Sequence, residues 1–173
     1  MIFKKYWRKI MAVLEIRKVG DTVLREKALK VDEITPEIDK LIKDMIETMY
    51  ASLGVGLAAP QIGVSKRIIV IDGEEEGLFI IINPVILKKE GKIIEEEGCL
   101  SVPGIYSKVT RYEKVTAEGI NQKGEKIKIS KDGLIGRALQ HEIDHLEGVL
   151  FIDRVSKIKR QILLDEYKKK KEN

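Results

Sequence analysis

A single cysteine excludes any internal disulfide and leaves the thiol as a candidate metal ligand or nucleophile. The opening MIFKKYWRKI is basic but lacks the apolar run and small-residue cleavage site of a secretory leader, so the expected setting is reducing and cytoplasmic. Long apolar runs are missing as well. The longest, residues 78–82 and 85–87 on either side of Asn83-Pro84, fall far short of the roughly 20 residues of a spanning helix and read as strands. Aromatic residues make up 5% of the chain and charged residues 35%, a balance that fits a highly charged globular protein rather than a fibrous or disordered one. No repeat or linker interrupts residues 11–156, so one domain with one core is expected.

The net charge of +4 is unevenly spread. Residues 1–10 carry four basic groups and no acid, residues 157–173 carry seven basic groups against three acids, and the body between them carries 21 basic and 25 acidic groups. Basic ends on an acidic body suit an RNA-rich or otherwise anionic partner, although plain solvated ends fit equally well. Residues 1–10 are set apart as an N-terminal extension, an upstream start or an expression scar ahead of Met11, where a more natural domain opening begins.

Helical periodicity covers residues 36–53, where Ile38, Leu41, Ile42, Met45, Ile46 and Met49 share a face, Thr35 is placed to cap and Pro36 suits the first turn. Short runs rich in isoleucine and valine predict strands at 67–71, 78–87, 92–94, 115–120 and 126–129. The last two flank Asn121-Gln122-Lys123-Gly124, which has hairpin turn chemistry. A second helix is expected over 133–147, with Leu134, Ile135, Ala138, Leu139 and Leu146 as its buried stripe and Gly148 ending it. A third, over 156–171, places Ile158, Ile162, Leu163 and Tyr167 on one side and lysines elsewhere. The fold class is therefore α+β: mostly antiparallel strands around a central helix, with an N-terminal helix and a basic C-terminal helix.

The second helix contains His141-Glu142-Ile143-Asp144-His145, and these are the only histidines in the chain. Residues four apart lie one above the other, so both imidazoles leave the same face and can share one metal ion. Glu142, about 100° round the helix, can reach the open coordination position as a general base without filling it. A catalytic site of this type needs a third protein ligand. Cys99, in Glu97-Gly98-Cys99-Leu100-Ser101-Val102-Pro103-Gly104, is the candidate, on a segment expected to be bent and accessible; a small buried hydrophobe is the alternative. The stretch Gly54-Val55-Gly56-Leu57-Ala58-Ala59-Pro60-Gln61 lets a backbone approach closely and ends in an amide donor, although a helix stop and tight loop also explain it.

Together GVGLAAPQ at 54–61, EGCLS at 97–101 and QHEIDH at 140–145 resemble, in order, the three signature motifs of the peptide deformylases, with similarity over 11–159. The resemblance implies that Cys99, His141 and His145 are the metal ligands, Glu142 is the general base, and Gln61 with the Leu100 N–H stabilises the oxyanion. It implies further that Gly56 and Val55 bind substrate backbone and that Arg111 and Glu97 brace the site from behind. The implied reaction is hydrolysis of the formyl group from the initiator methionine of nascent chains. The implied metal is Fe(II), with zinc, nickel or cobalt also accepted. The implied partners are N-formyl-methionyl peptides and the ribosome, the latter through the basic helix end at 160–173, and neither DNA nor a membrane.

Two other readings compete with this one. A metallopeptidase with the same helix motif would take its third ligand downstream, where no histidine exists and Asp153 is a candidate only if Cys99 is a bystander. A metal-binding relative without turnover would be expected to have lost one of the assigned residues, and all of them are intact.

Overall fold

In the computed structural model, which describes residues 12–172, the apolar run at 68–71 becomes an inner strand of a five-stranded sheet. The expected extension at residues 1–10 lies outside the described residues. Strand β2 (Ile68–Asp72) is buried on both faces. Its alternate residues serve two layers, as the two-residue period of a strand requires. Ile69 and Ile71 pack with Leu139, Ile143 and Leu146 of helix α2 (Gly133–Leu146). Ile68 and Val70 pack with Ile42, Met45 and Met49 of helix α1 (Pro36–Ala51). The sheet lies between the two helices.

Five strands make this sheet, in the order β1-β2-β3-β6-β7 and antiparallel throughout. Their bounds are β1 Gly56–Ala58, β3 Leu78–Glu90, β6 Lys114–Ile120 and β7 Lys126–Lys131. The β6–β7 turn forms where expected: Asn121 Oδ1 accepts from the N–H groups of Lys123 (2.9 Å) and Glu125 (3.0 Å). A separate two-stranded sheet pairs β4 (Ile93–Cys99) with β5 (Val102–Arg111). The structure is α+β, as the sequence predicts.

Three expectations need correction. Residues 97–104 form the end of a hairpin rather than a free bend, because β4–β5 has no interior strand and Pro103 therefore interrupts no essential ladder. Leu134 does not belong to the buried stripe of α2; it is exposed on a groove, and the apolar anchor is Ile143, inside the histidine motif. In helix α3 (Lys157–Glu172) Ile158 is 77% exposed and Ile162 is exposed too, while Leu163, Leu164 and Tyr167 seat the helix on Val109, Phe151 and Ile152. The residues at 160–172 thus continue a helix whose inner face belongs to a core cluster. Among the described residues no helix is long and apolar enough to cross a membrane.

Helix α1 follows its sequence signals closely. The Thr35 hydroxyl accepts from the Ile38 N–H at 3.4 Å and Pro36 occupies the first turn. Gly148 closes α2 with φ +72°, and a Cβ there would stand 2.5 Å from the Arg25 carbonyl oxygen. Neither the dihedral nor the space admits a side chain, so Gly148→Ala is expected to cost about 2 kcal/mol or more in a urea titration, well above the effect of an ordinary Gly→Ala change.

Candidate metal centre

Cys99 ends β4 and both histidines sit on α2, so the site forms where the small sheet meets the central helix. The Cys99 sulfur and one ring nitrogen each of His141 and His145 all lie within 4.8 Å of one another, and Cys99 Sγ is 3.3 Å from His145 Nε2. The two rings meet edge to face with centroids 5.0 Å apart. One thiol and two imidazoles at this spacing fit a single transition-metal ion with a coordination position left over.

The groups around the sulfur are donors. The Ser101 N–H lies 3.4 Å from Cys99 Sγ and the Gln61 amide nitrogen 3.6 Å. Gln61 is held on both sides: its Oε1 accepts from the Ala58 N–H at 2.8 Å and its Nε2 donates to Ser101 Oγ at 3.3 Å. The amide is thereby aimed at the sulfur by a fully buried serine. Sequence reasoning quoted Ser101 but gave it no role.

Behind the imidazoles runs a buried ionic chain. His141 Nδ1 meets Glu97 Oε2 at 3.1 Å, which orients the ring and leaves its other nitrogen toward Cys99. Arg111 grips Glu97 with two bonds, Nε at 2.7 Å and Nη2 at 3.0 Å, and its Nη1 reaches Asp144 Oδ2 at 2.6 Å. Arg154 donates to the same Asp144 through Nε, at 2.9 Å to Oδ2, and through Nη2 to Oδ1. Burial pushes the Glu97 carboxyl up, but hydrogen bonds from His141 and Arg111 outweigh it and hold the pKa at about 2. Asp144 and Arg154 were missed as contributors. The available signal was an aspartate on the motif helix between two positions committed to the buried face.

Among the described residues two buried side-chain atoms find no partner, Glu142 Oε2 and His145 Nδ1. Burial, then the positive charges of His141 and Arg111, hold the His145 pKa well below the ordinary imidazole range, so this ring stays neutral and able to donate its lone pair. Burial likewise pushes the Glu142 carboxyl up to about 7, with the Glu97 and Asp144 charges adding to it and His141 and Arg111 opposing it. A partnerless buried carboxylate tuned near neutrality beside a ligand cluster has the properties of a general base. It packs directly on β1, where a Cβ added at Gly56 would lie 2.5 Å from Glu142 Oε1.

The cluster opens on a groove of about 540 Å³ between β1 with the loop before it, the β4–β5 hairpin and α2. β1 is the edge of its sheet. The Asp72 N–H donates to the Val55 carbonyl at 2.8 Å and Gly56 stands opposite Ile71, so the N–H and C=O of Gly56 point away from β2 and into the groove. Ala58 faces the same way, and its N–H is the one taken by Gln61. Val55 has its carbonyl bonded within the sheet and lines the groove from the rim. Leu100 lines it as well, with its carbonyl accepting from Lys18 Nζ at 2.9 Å. Asp153, the downstream rival ligand, is paired with Arg25 and Arg160 and stands outside the cluster.

The profile of the polypeptide deformylase family matches residues 13–161. The peptide deformylase of Halothermothrix orenii is 58% identical over 154 residues, covering 88% of this chain and all of that protein. That of Thermodesulfovibrio yellowstonii is 49% identical, covering 93% of this chain and all of that protein. Among solved structures, a peptide deformylase from Legionella pneumophila superimposes with a TM-score of 0.89 at 44% identity, covering 93% of this chain and 96% of that one. One from Ehrlichia chaffeensis in complex with actinonin gives 0.89 at 40% identity, covering 94% of this chain and all of that one.

Removing Arg111 leaves the buried Glu97 carboxylate with His141 and Asp144 with Arg154 as their remaining side-chain partners. Arg111→Leu is expected to destabilise the protein by about 3–5 kcal/mol in denaturant unfolding. The acid response should change with it. Because the folded pKa of Glu97 lies below its unfolded value, its contribution is complete above the ordinary carboxylate range and is lost as pH falls toward about 2. Without the guanidinium the folded pKa should rise toward the unfolded value, so in an acid titration of stability the loss linked to Glu97 should be smaller and complete at a higher pH.

Proposed function

The chain belongs to the polypeptide deformylase family, and on that premise we propose that it hydrolyses the N-formyl group from N-formyl-methionyl peptides with a divalent metal held by Cys99, His141 and His145. The observation that carries the reading is the convergence of these three ligand atoms within 4.8 Å beside the partnerless carboxylate of Glu142. The donor set fits Fe(II), the proposed ion, and equally zinc, nickel or cobalt. When bound, such an ion acts as a Lewis acid on water and on the formyl oxygen.

The protein's own residues do the rest. Glu142 takes a proton from the attacking water, whose oxygen adds to the formyl carbon. The Gln61 amide and the Leu100 N–H are the proposed donors to the negative charge that gathers on the formyl oxygen; loss of one such donor typically costs about 100-fold or more. The C–N bond then breaks, Glu142 returns the proton to the leaving amine, and formate departs. The outward N–H and C=O of Gly56 hold the peptide as an added strand, with Val55 at its flank. Glu97 and Arg111 act through His141 by fixing its ring.

The catalytic unit is taken as residues 11–159, in keeping with the extent of the family match, and 160–173 as the basic end of α3. The reading places the enzyme in the cytoplasm, where nascent chains emerge from ribosomes, and assigns the basic outer face of α3 to ribosome docking. Deleting 160–173 would also strip Leu163 from its core cluster, so charge reversal is the cleaner test. Lys157, Lys168 and Lys171 changed together to glutamate should weaken ribosome binding by about tenfold or more and flatten its salt dependence, while free formyl-Met-Ala-Ser is still hydrolysed. Binding that keeps its strength and salt slope refutes the docking role.

Glu142→Gln separates base from ligand. It should keep one metal per chain by elemental analysis and lose formate release by about two orders of magnitude or more. In the unaltered enzyme kcat/KM should fall with acid as Glu142 takes up a proton, along a single-proton limb centred at or below about 7. Acetyl-Met-Ala-Ser should remain uncleaved, because the site is read as formyl-specific.

A further inference from the structure

Leu53 breaks two rules at once. It has φ +56°, a left-handed conformation usually left to glycine or asparagine at a helix end, and its side chain is 94% exposed, more than any other large apolar residue described. The local backbone is firmly set, since the N–H groups of Leu53 and Gly54 bond back to the carbonyls of Tyr50 (3.1 Å) and Met49 (2.9 Å) in the last turn of α1. A residue whose conformation costs free energy and whose side chain gains no burial is held for something outside the folded chain.

Its position says what that is. Leu53 lines the groove that opens from the ligand cluster, three residues before Gly56. β1 runs from Gly56 toward Gln61 at the cluster, so a peptide with its formyl group at the cluster and its backbone on the outward groups of Gly56 extends back past Gly54 and Leu53. Leu53 lies outside β1, in the turn that ends α1, and lines the groove where such a peptide runs on past the strand. With methionine opposite Gly56, it meets the third and fourth residues of the substrate.

The other wall of the groove presents a matching surface. Tyr106 of β5 is 62% exposed and pairs in register with Gly98, where a Cβ would be only 2.6 Å from the tyrosine ring. The glycine lets the ring lie across β4, where it lines the same groove. Leucine and tyrosine offer apolar area and no charge to a passing side chain.

We propose that Leu53, with Tyr106 opposite, is a specificity-determining contact that selects apolar residues at the third and fourth positions of the nascent chain. The inference rests on the deformylase reading and deepens it. It is tested by kcat/KM for formate release from formyl-Met-Ala-Leu-Leu and formyl-Met-Ala-Ser-Ser. The native enzyme should favour the leucine peptide by about fivefold, mainly through KM, and Leu53→Asn, which tolerates the left-handed backbone, should bring the ratio close to one. Tyr106→Ser should lower the same ratio, and thermal melting checks that both variants are folded. A native ratio near one, or a ratio that survives in both variants, overturns the contact. Absence of formate from either peptide with the native enzyme overturns the deformylase reading itself.

Discussion

The site is held together by one guanidinium. Arg111 belongs to β5 and grips Glu97 of β4, so it fastens the hairpin that carries Cys99; the same side chain reaches Asp144 on the helix that carries both histidines. Thiol and imidazoles come from separate layers, and without a fixed distance between those layers they would share no ion. A buried ionic chain adds little net stability compared with an apolar core. What it adds is geometry: Glu97 orients the His141 ring, and Arg154 closes the chain from the far side of Asp144.

The histidine helix is also a core helix. Ile143 and Leu146 pack against Ile69 and Ile71 of β2, so the turn that carries His141, Glu142 and His145 is the turn that anchors α2 to the sheet. This explains why Glu142 and His145 are buried and why their pKa values move in opposite senses. Loss of water raises an acid and lowers a base, each toward its neutral form. One helix thus carries a neutral imidazole and a carboxyl poised near neutrality with no separate machinery for either.

The groove exists because β1 is short and unpaired on its outer side. An open edge is a hazard in most sheets; here the N–H of Ala58 is taken by Gln61, and the N–H and C=O of Gly56 face the groove. Glycine at 56 is required by the Glu142 carboxylate packed against it. The edge strand, the Glu142 carboxylate and the Gln61 amide are therefore packed as one unit.

Much of this was legible in the residues. The spacing of His141 and His145, the solitary Cys99 and the placement of Glu142 follow from helical geometry and ligand chemistry, Gln61 from the resemblance of its motif to a family signature, and the α1 cap and the Asn121–Gly124 turn from local rules that need no distant partner. What the linear chain could not show was which faces would meet. Pro103 and Gly104 concealed β5, Leu134 and Ile162 counted as core until the groove and the seat of α3 left them outside, and Asp144, Arg154 and Ser101 gained their roles only when strands far apart in sequence came together. Ligand identity is set by side-chain chemistry, which a sequence states outright. Orientation, burial and the coupling of charges depend on non-local packing, which only the folded chain decides.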